Sequence, residues 1–206
     1  MGFISRFILP REVDFDAALE EQAHVTRIIV EDLRAACVDD DVEAFSALST
    51  HADQARSLKS RNMKELLDVF ITPYDKESIY RMITQLDWVA LSVRHFKLEA
   101  EAYSISSFEE YRPIVEVLFE MATLLELGVT RLSAKSARSL APDIDLIHDK
   151  YDRVVTLCAQ SFAGLLGSSE FKRLIVQREI LAQLKEIARR LHITANTLED
   201  MAIKVI

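Results

Sequence analysis

Seven apolar residues at steps of three and four, Ile79, Met82, Leu86, Val89, Val93, Phe96 and Ala100, leave little choice about the middle of this 206-residue chain. At about 100° per residue they fall on one helical stripe, whereas on a strand they would scatter over both faces. At ~1.5 Å per residue, a helix of about 30 residues is roughly 45 Å long, the length of a bundle helix. Glycine and proline number only four each, too few for the turns of an all-β or α/β fold. The expected class is all-α.

The same spacing marks five more helices. The first buries Leu19, Ala23, Thr26, Val30, Leu33 and Cys37, and Asp40-Asp41-Val42-Glu43 reads as a capping box that restarts the chain. The second carries Phe45, Leu48, Ala52, Ala55, Met63, Leu66 and Phe70. Thr72 is the expected cap of the third, with Pro73 at its first position and Asp75 three residues past the cap. A link near Ser104–Ser107 leads to a fourth helix over about 108–135, with Pro113 in its first turn and Ile114, Val117, Met121, Leu125, Gly128 and Leu132 inward. After a loop at 134–143, Pro142 opens the fifth, which buries Ile144, Ile147, Tyr151, Val154, Cys158, Phe162 and Leu165. Gly167-Ser168-Ser169 breaks the chain before a sixth through Ile180, Leu184, Ile187, Leu191, Ala195, Leu198 and Val205. The expectation is six long helices as two similar three-helix bundles packed side by side, one domain over 1–206 with repeat halves of about 13–105 and 107–206.

Half of the residues are apolar, enough for a core that hides roughly 70% of the unfolded surface. The net charge of −8 disfavours nucleic acid and anionic membrane. Cys37 and Cys158 lie inside apolar stripes and read as buried thiols. Phe7-Ile8-Leu9 is too short for a secretory signal, and the uncharged run Val154–Ser169 contains Thr156, Gln160, Ser161 and Gly164, so it reads as a buried helix. A cytoplasmic protein is expected.

No nucleophile–base arrangement, glycine-rich phosphate loop or paired-cysteine motif is present, so an enzyme is not expected. A ferritin-like di-metal bundle needs two Glu-x-x-His motifs and two further glutamates; Glu21 with His24 is the one strict match, and Asp145 with His148 an aspartate variant. His51 and Asp53, two residues apart, point to different faces of a helix, and His95 and His192 read as isolated surface or boundary residues. Lys172, Arg173, Arg178, Lys185, Arg189 and Arg190 form a basic run interrupted by Glu170, Glu179 and Glu186, either a solvated face or a docking strip. Phe3, Ile4, Phe7, Ile8 and Leu9 either fold back on the bundle or touch a membrane or permease.

The stretch Phe70-Ile71-Thr72-Pro73-Tyr74-Asp75-Lys76-Glu77-Ser78-Ile79, with Leu86-Asp87, resembles the inter-helix motif of PhoU-like phosphate-transport regulators, also called phosphate permease accessory proteins. Phe7–Glu12 with Phe15, and Ala195–Asp200, are similar to that family's ends. The resemblance implies a non-enzymatic regulator of inorganic phosphate transport, acting by contact with a phosphate permease or an associated sensor protein, with membrane contact through that partner and with homo-oligomers open.

The family also gathers multinuclear metal clusters through acidic residues at i and i+4, which share a helix face. Aligned on it, the positions here hold Ser49 and Asp53, Asp87 and Leu91, His148 and Asp152, and Lys185 and Arg189. The candidate metal ligands are Asp53, Asp87, His148 and Asp152; lysine and arginine have no acceptor for a metal. The cofactor reading therefore stays open between none and a single divalent or iron ion, for which His148 and Asp152 would need partners from another helix. Arg189 either pairs with Asp152 in place of a lost cation or lies on a solvated face.

Overall fold

The computed structural model of the chain describes residues 13–134, 139–166 and 170–205. The apolar segment Phe3–Leu9 and the break at 167–169 lie outside the described residues, as does the side chain of Val205. Six helices follow one another: α1 (Phe15–Val38), α2 (Val42–Asp68), α3 (Lys76–Ala102), α4 (Arg112–Ser133), α5 (Ala141–Ala163) and α6 (Phe171–Val205), with a short 3-10 turn at Glu109–Tyr111. There is no strand among the described residues.

Carboxylates set the starts of the first three helices. Asp14 accepts the Ala17 N–H at 3.0 Å, and Asp41 accepts those of Glu43 and Ala44 at 2.9 and 3.0 Å, each satisfying donors that a helix start leaves free. Asp40, in the preceding turn, takes a φ of 54°. The third start differs from the expected one. Asp75, not Thr72, is the cap: it accepts the Ser78 N–H at 2.9 Å and the Ser78 hydroxyl at 2.6 Å. A carboxylate with two oxygens beside the positive helix end outcompetes a hydroxyl, and the Ser78 bonds push the Asp75 pKa down to about 2. Thr72 instead donates to the Tyr74 carbonyl at 2.6 Å, and Pro73 lies in the turn. Phe70, read as the end of the second stripe, falls beyond α2 and is 91% exposed. Pro113 and Pro142 sit in the first turns of α4 and α5.

All seven stripe residues of α3 are buried. α1, α2 and α3 pack together, as do α4, α5 and α6, and the units join where α1 lies on α4 and α3 on α6. One continuous core runs through all six helices. Thirteen residues are buried on α1 and thirteen on α3, against six on α2 and four on α5, so α2 and α5 are the outer helices. Cys37 and Cys158 are free and buried; burial pushes their thiols up to about 12 and about 11, which keeps them protonated. No helix among the described residues is long and apolar enough to cross a membrane.

The first unit carries a buried polar lock. The Gln22 amide donates to the Ile83 carbonyl at 2.8 Å and accepts from the Asn62 amide at 3.0 Å, while Thr26 donates to the Gln22 carbonyl at 2.8 Å. Each bond joining two helices fixes their register, since a shift would strand a polar group out of water.

Within the second unit α4 and α6 approach closely at Gly128, where an added Cβ would stand 2.6 Å from Leu198 Cδ2. At Gly164 the nearest atom would be a comfortable 3.6 Å away, and its φ of −61° suits any residue. Gly128→Val should cost about 1–3 kcal/mol through overpacking, whereas Gly164→Ala should be neutral or stabilise by about 0.4–1 kcal/mol. Urea unfolding of both variants beside the native chain checks the contrast.

Candidate functional site

Outer helix α2 lies antiparallel to α3, and outer helix α5 to α6, so each pair encloses a groove in which i and i+4 positions face across. In the α2–α3 groove three cations cross over. Lys97 donates to Ser49 Oγ at 3.0 Å and to the Ser46 carbonyl at 3.2 Å, stands 3.7 Å from Glu101, and lies 5.5 Å from the centre of the Phe45 ring. Arg94 pairs with Asp53 at 2.7 Å, and Lys59 with Asp87 at 2.6 Å. Lys97 and Asp87 are 8% and 6% exposed, whereas Asp53 faces solvent. Asp53 and Asp87 share this groove without converging: Asp53 is opposite Arg94, seven residues along α3 from Asp87, roughly 10 Å at the helical rise.

The α5–α6 groove is built differently. His148 Nε2 is 2.8 Å from Asn196 Oδ1, and the His192 ring sits 4.6 Å from the His148 ring and 4.7 Å from that of Tyr151. His192 is therefore not isolated, because α5 brings two rings against it. Its Nδ1 is buried and has no hydrogen-bond partner. Burial first, and then the neighbouring His148, lower the His192 pKa below its ordinary value. Asp152 is exposed, one turn from His148.

Arg189 does not reach Asp152. It makes two bonds to Glu186, at 2.7 and 2.8 Å, and Arg190 adds a third at 2.6 Å. Glu186 lies within one turn on the same helix, so the guanidinium is satisfied without crossing the groove, and the Arg189 bond leads in holding the Glu186 carboxyl below its usual range. Arg190 stacks 4.5 Å over Trp88 of α3. Arg178 lies near Glu179, and Arg173 near Glu110 in the turn before α4, so much of the basic run on α6 faces acids of the same molecule. Lys185 is exposed. The Glu21 and His24 pair is also split, Glu21 to Arg61 and His24 to Glu126.

The donor set does not fit a multinuclear cluster. Among the described residues no three His, Cys, Asp or Glu side chains converge, and the two first-unit carboxylates already face side-chain cations. Sequence reasoning missed Lys59, Arg94 and Lys97. The signal was present, since Arg94 and Lys97 are three apart on one side of α3, but using it required the register of α2 on α3.

No family model matches the chain. UPF0111 protein YkaA of Bacillus subtilis (strain 168) is 28% identical over 144 residues, which is 69% of this chain and 70% of that protein. Two solved structures from Shewanella oneidensis MR-1 are similar in fold over nearly their full length. One, a PhoU-like protein, has a TM-score of 0.75 at 14% identity and covers 90% of this chain and 98% of its own. The fold is PhoU-like. A second, described as a PhoU-like phosphate regulatory protein, has a TM-score of 0.73 at 15% identity, covering 91% and 98%. At such identities the PhoU-like likeness lies in the arrangement of six helices, not in shared side chains.

His192 has a pH signature. Because His192 is held below its unfolded value near 6.5, the folded state favours the neutral ring. That contribution is complete above about pH 6.5 and is lost as pH falls through the lowered folded value. Thermal melts from pH 8 to pH 5 should show this fall in the native chain and a flatter profile in His192→Phe, which keeps the ring contacts.

Proposed function

We propose that the protein is a non-enzymatic cytoplasmic regulator of inorganic phosphate transport, working by direct contact with a phosphate permease or with the sensor protein associated with it. The observation that carries this reading is the α2–α3 turn, which holds apolar side chains in water on a rigid mount. Val69 is buried at its start and its carbonyl accepts from Lys76. At its end Tyr74 donates to Asp16 of α1 at 2.6 Å, and Lys204 of α6 reaches Ser78 and Asp75 at 3.0 and 3.3 Å. Between these ties Phe70 and Ile71 are 91% and 82% exposed, with Leu67 and Ile203 also exposed at the same end. Large apolar groups displayed by a braced turn bind partners at low entropic cost.

The PhoU-like fold supports a phosphate-linked role, since one similar structure is described as a phosphate regulatory protein. Contact requires no chemical step, and the protonated thiols Cys37 and Cys158 are poor nucleophiles. Membrane contact comes through the permease, and the charge of −8 disfavours nucleic acid.

A mild-detergent pull-down from phosphate-rich and phosphate-starved cells tests this. The native chain should recover a phosphate permease or its sensor in a phosphate-dependent way. Phe70→Ser/Ile71→Ser should weaken that recovery at least about tenfold, since each side chain is worth about 1.5–3 kcal/mol when buried. Recovery of only the protein itself under both conditions would refute the proposal.

A further inference from the structure

The PhoU-like resemblance asks for metal in the α2–α3 groove, and the side chains there bring positive charge of their own. We infer that Lys97 and Lys59, with Arg94 between them, fill as tethered cations the places where related proteins gather carboxylates around metal ions, so that this half of the molecule closes without metal.

Lys97 shows the substitution most plainly. Its ammonium faces a hydroxyl (Ser49), a backbone carbonyl (Ser46) and a carboxylate (Glu101) at 3.0, 3.2 and 3.7 Å. That is the oxygen chemistry a hard cation takes, and an ammonium offers three donors to meet it. The Phe45 ring supplies a further attraction on the apolar side. Two turns or more along the groove, Asp87 is buried and its charge is met by Lys59 at 2.6 Å. Removing that ammonium would leave a carboxylate uncompensated out of water. The Arg94–Asp53 pair is more exposed and contributes less. A divalent ion entering here would meet two ammonium groups already seated, and its charge would be repelled by both. Unlike a bound ion, a lysine cannot dissociate, so closure of α2 on α3 does not follow the metal supply.

The test uses the purified full-length chain, Asp87→Asn, Lys59→Met/Lys97→Met, and that double variant carrying Asp87→Asn. Each is melted in chelator and in millimolar Mn²⁺, and Mn²⁺ binding is followed by calorimetry. The native chain and Asp87→Asn should respond to Mn²⁺ alike. The double variant should melt several degrees lower in chelator and regain part of the loss in Mn²⁺, and Asp87→Asn on that background should abolish the regain. Mn²⁺ binding by the native chain that Asp87→Asn removes would overturn the inference, as would a double variant that melts normally in chelator or gains nothing from Mn²⁺. If the double variant does not fold, Lys59→Gln, which keeps a donor, is read by the same criteria.

Discussion

Four of the six helices have more apolar surface than a single neighbour can cover, and the architecture follows from hiding it. α1 buries thirteen residues, spread from Phe15 to Val38, and α3 as many, so each must be covered by its own unit and by the other. α1 does this against α2, α3 and α4, and α3 against α1, α2 and α6. With each buried aliphatic side chain worth about 1.5–3 kcal/mol, prising the units apart would expose a seam neither could tolerate. The close approach at Gly128 and Leu198 belongs to the matching demand on α4 and α6.

That demand leaves α2 and α5 on the outside with narrow buried stripes, and the two grooves beside them carry the polar chemistry. They are not equivalent. The α2–α3 groove holds ammonium and guanidinium groups that meet carboxylate, hydroxyl and carbonyl oxygens. The α5–α6 groove holds two imidazoles in contact, and burial together with the neighbouring ring lowers the pKa of His192 below its ordinary value. One groove is thus built from ion pairs and the other from rings in contact, within a single PhoU-like frame.

The α2–α3 turn shows how local chemistry is recruited by packing. Asp75 is a helix cap on its own account, yet it also receives Lys204 from the far end of α6. Tyr74 is tied to α1 through Asp16, and burial together with that carboxylate raises its phenol well above the ordinary range. A seven-residue connection between helices is therefore braced by both units, which explains why it can hold Phe70 and Ile71 outward without collapsing onto the core.

Much of the fold was legible in the residues, and the misses share a cause. Apolar periodicity located six helices, and the Asp40–Glu43 segment, Pro113 and Pro142 marked three of their starts, because periodicity and capping act over four or five residues. The cap in that segment is Asp41 and not the box's first residue Asp40. Periodicity could not tell that α2 stops before Phe70, since a stripe names a face and not an end. Nor could it rank Asp75 over Thr72, two plausible caps three residues apart. The candidate site was less legible: Asp53 and Asp87 lie in one groove, but their partners Arg94 and Lys59 depend on how α2 slides along α3, and Arg189 chose Glu186 over Asp152 for the same kind of reason. By itself the sequence determined the helices, through local hydrogen bonding and the 3.6-residue repeat. Only the tertiary structure decided which charges and rings meet between them, because helix register is set by the packing of the whole core and by buried locks such as Gln22 and Asn62.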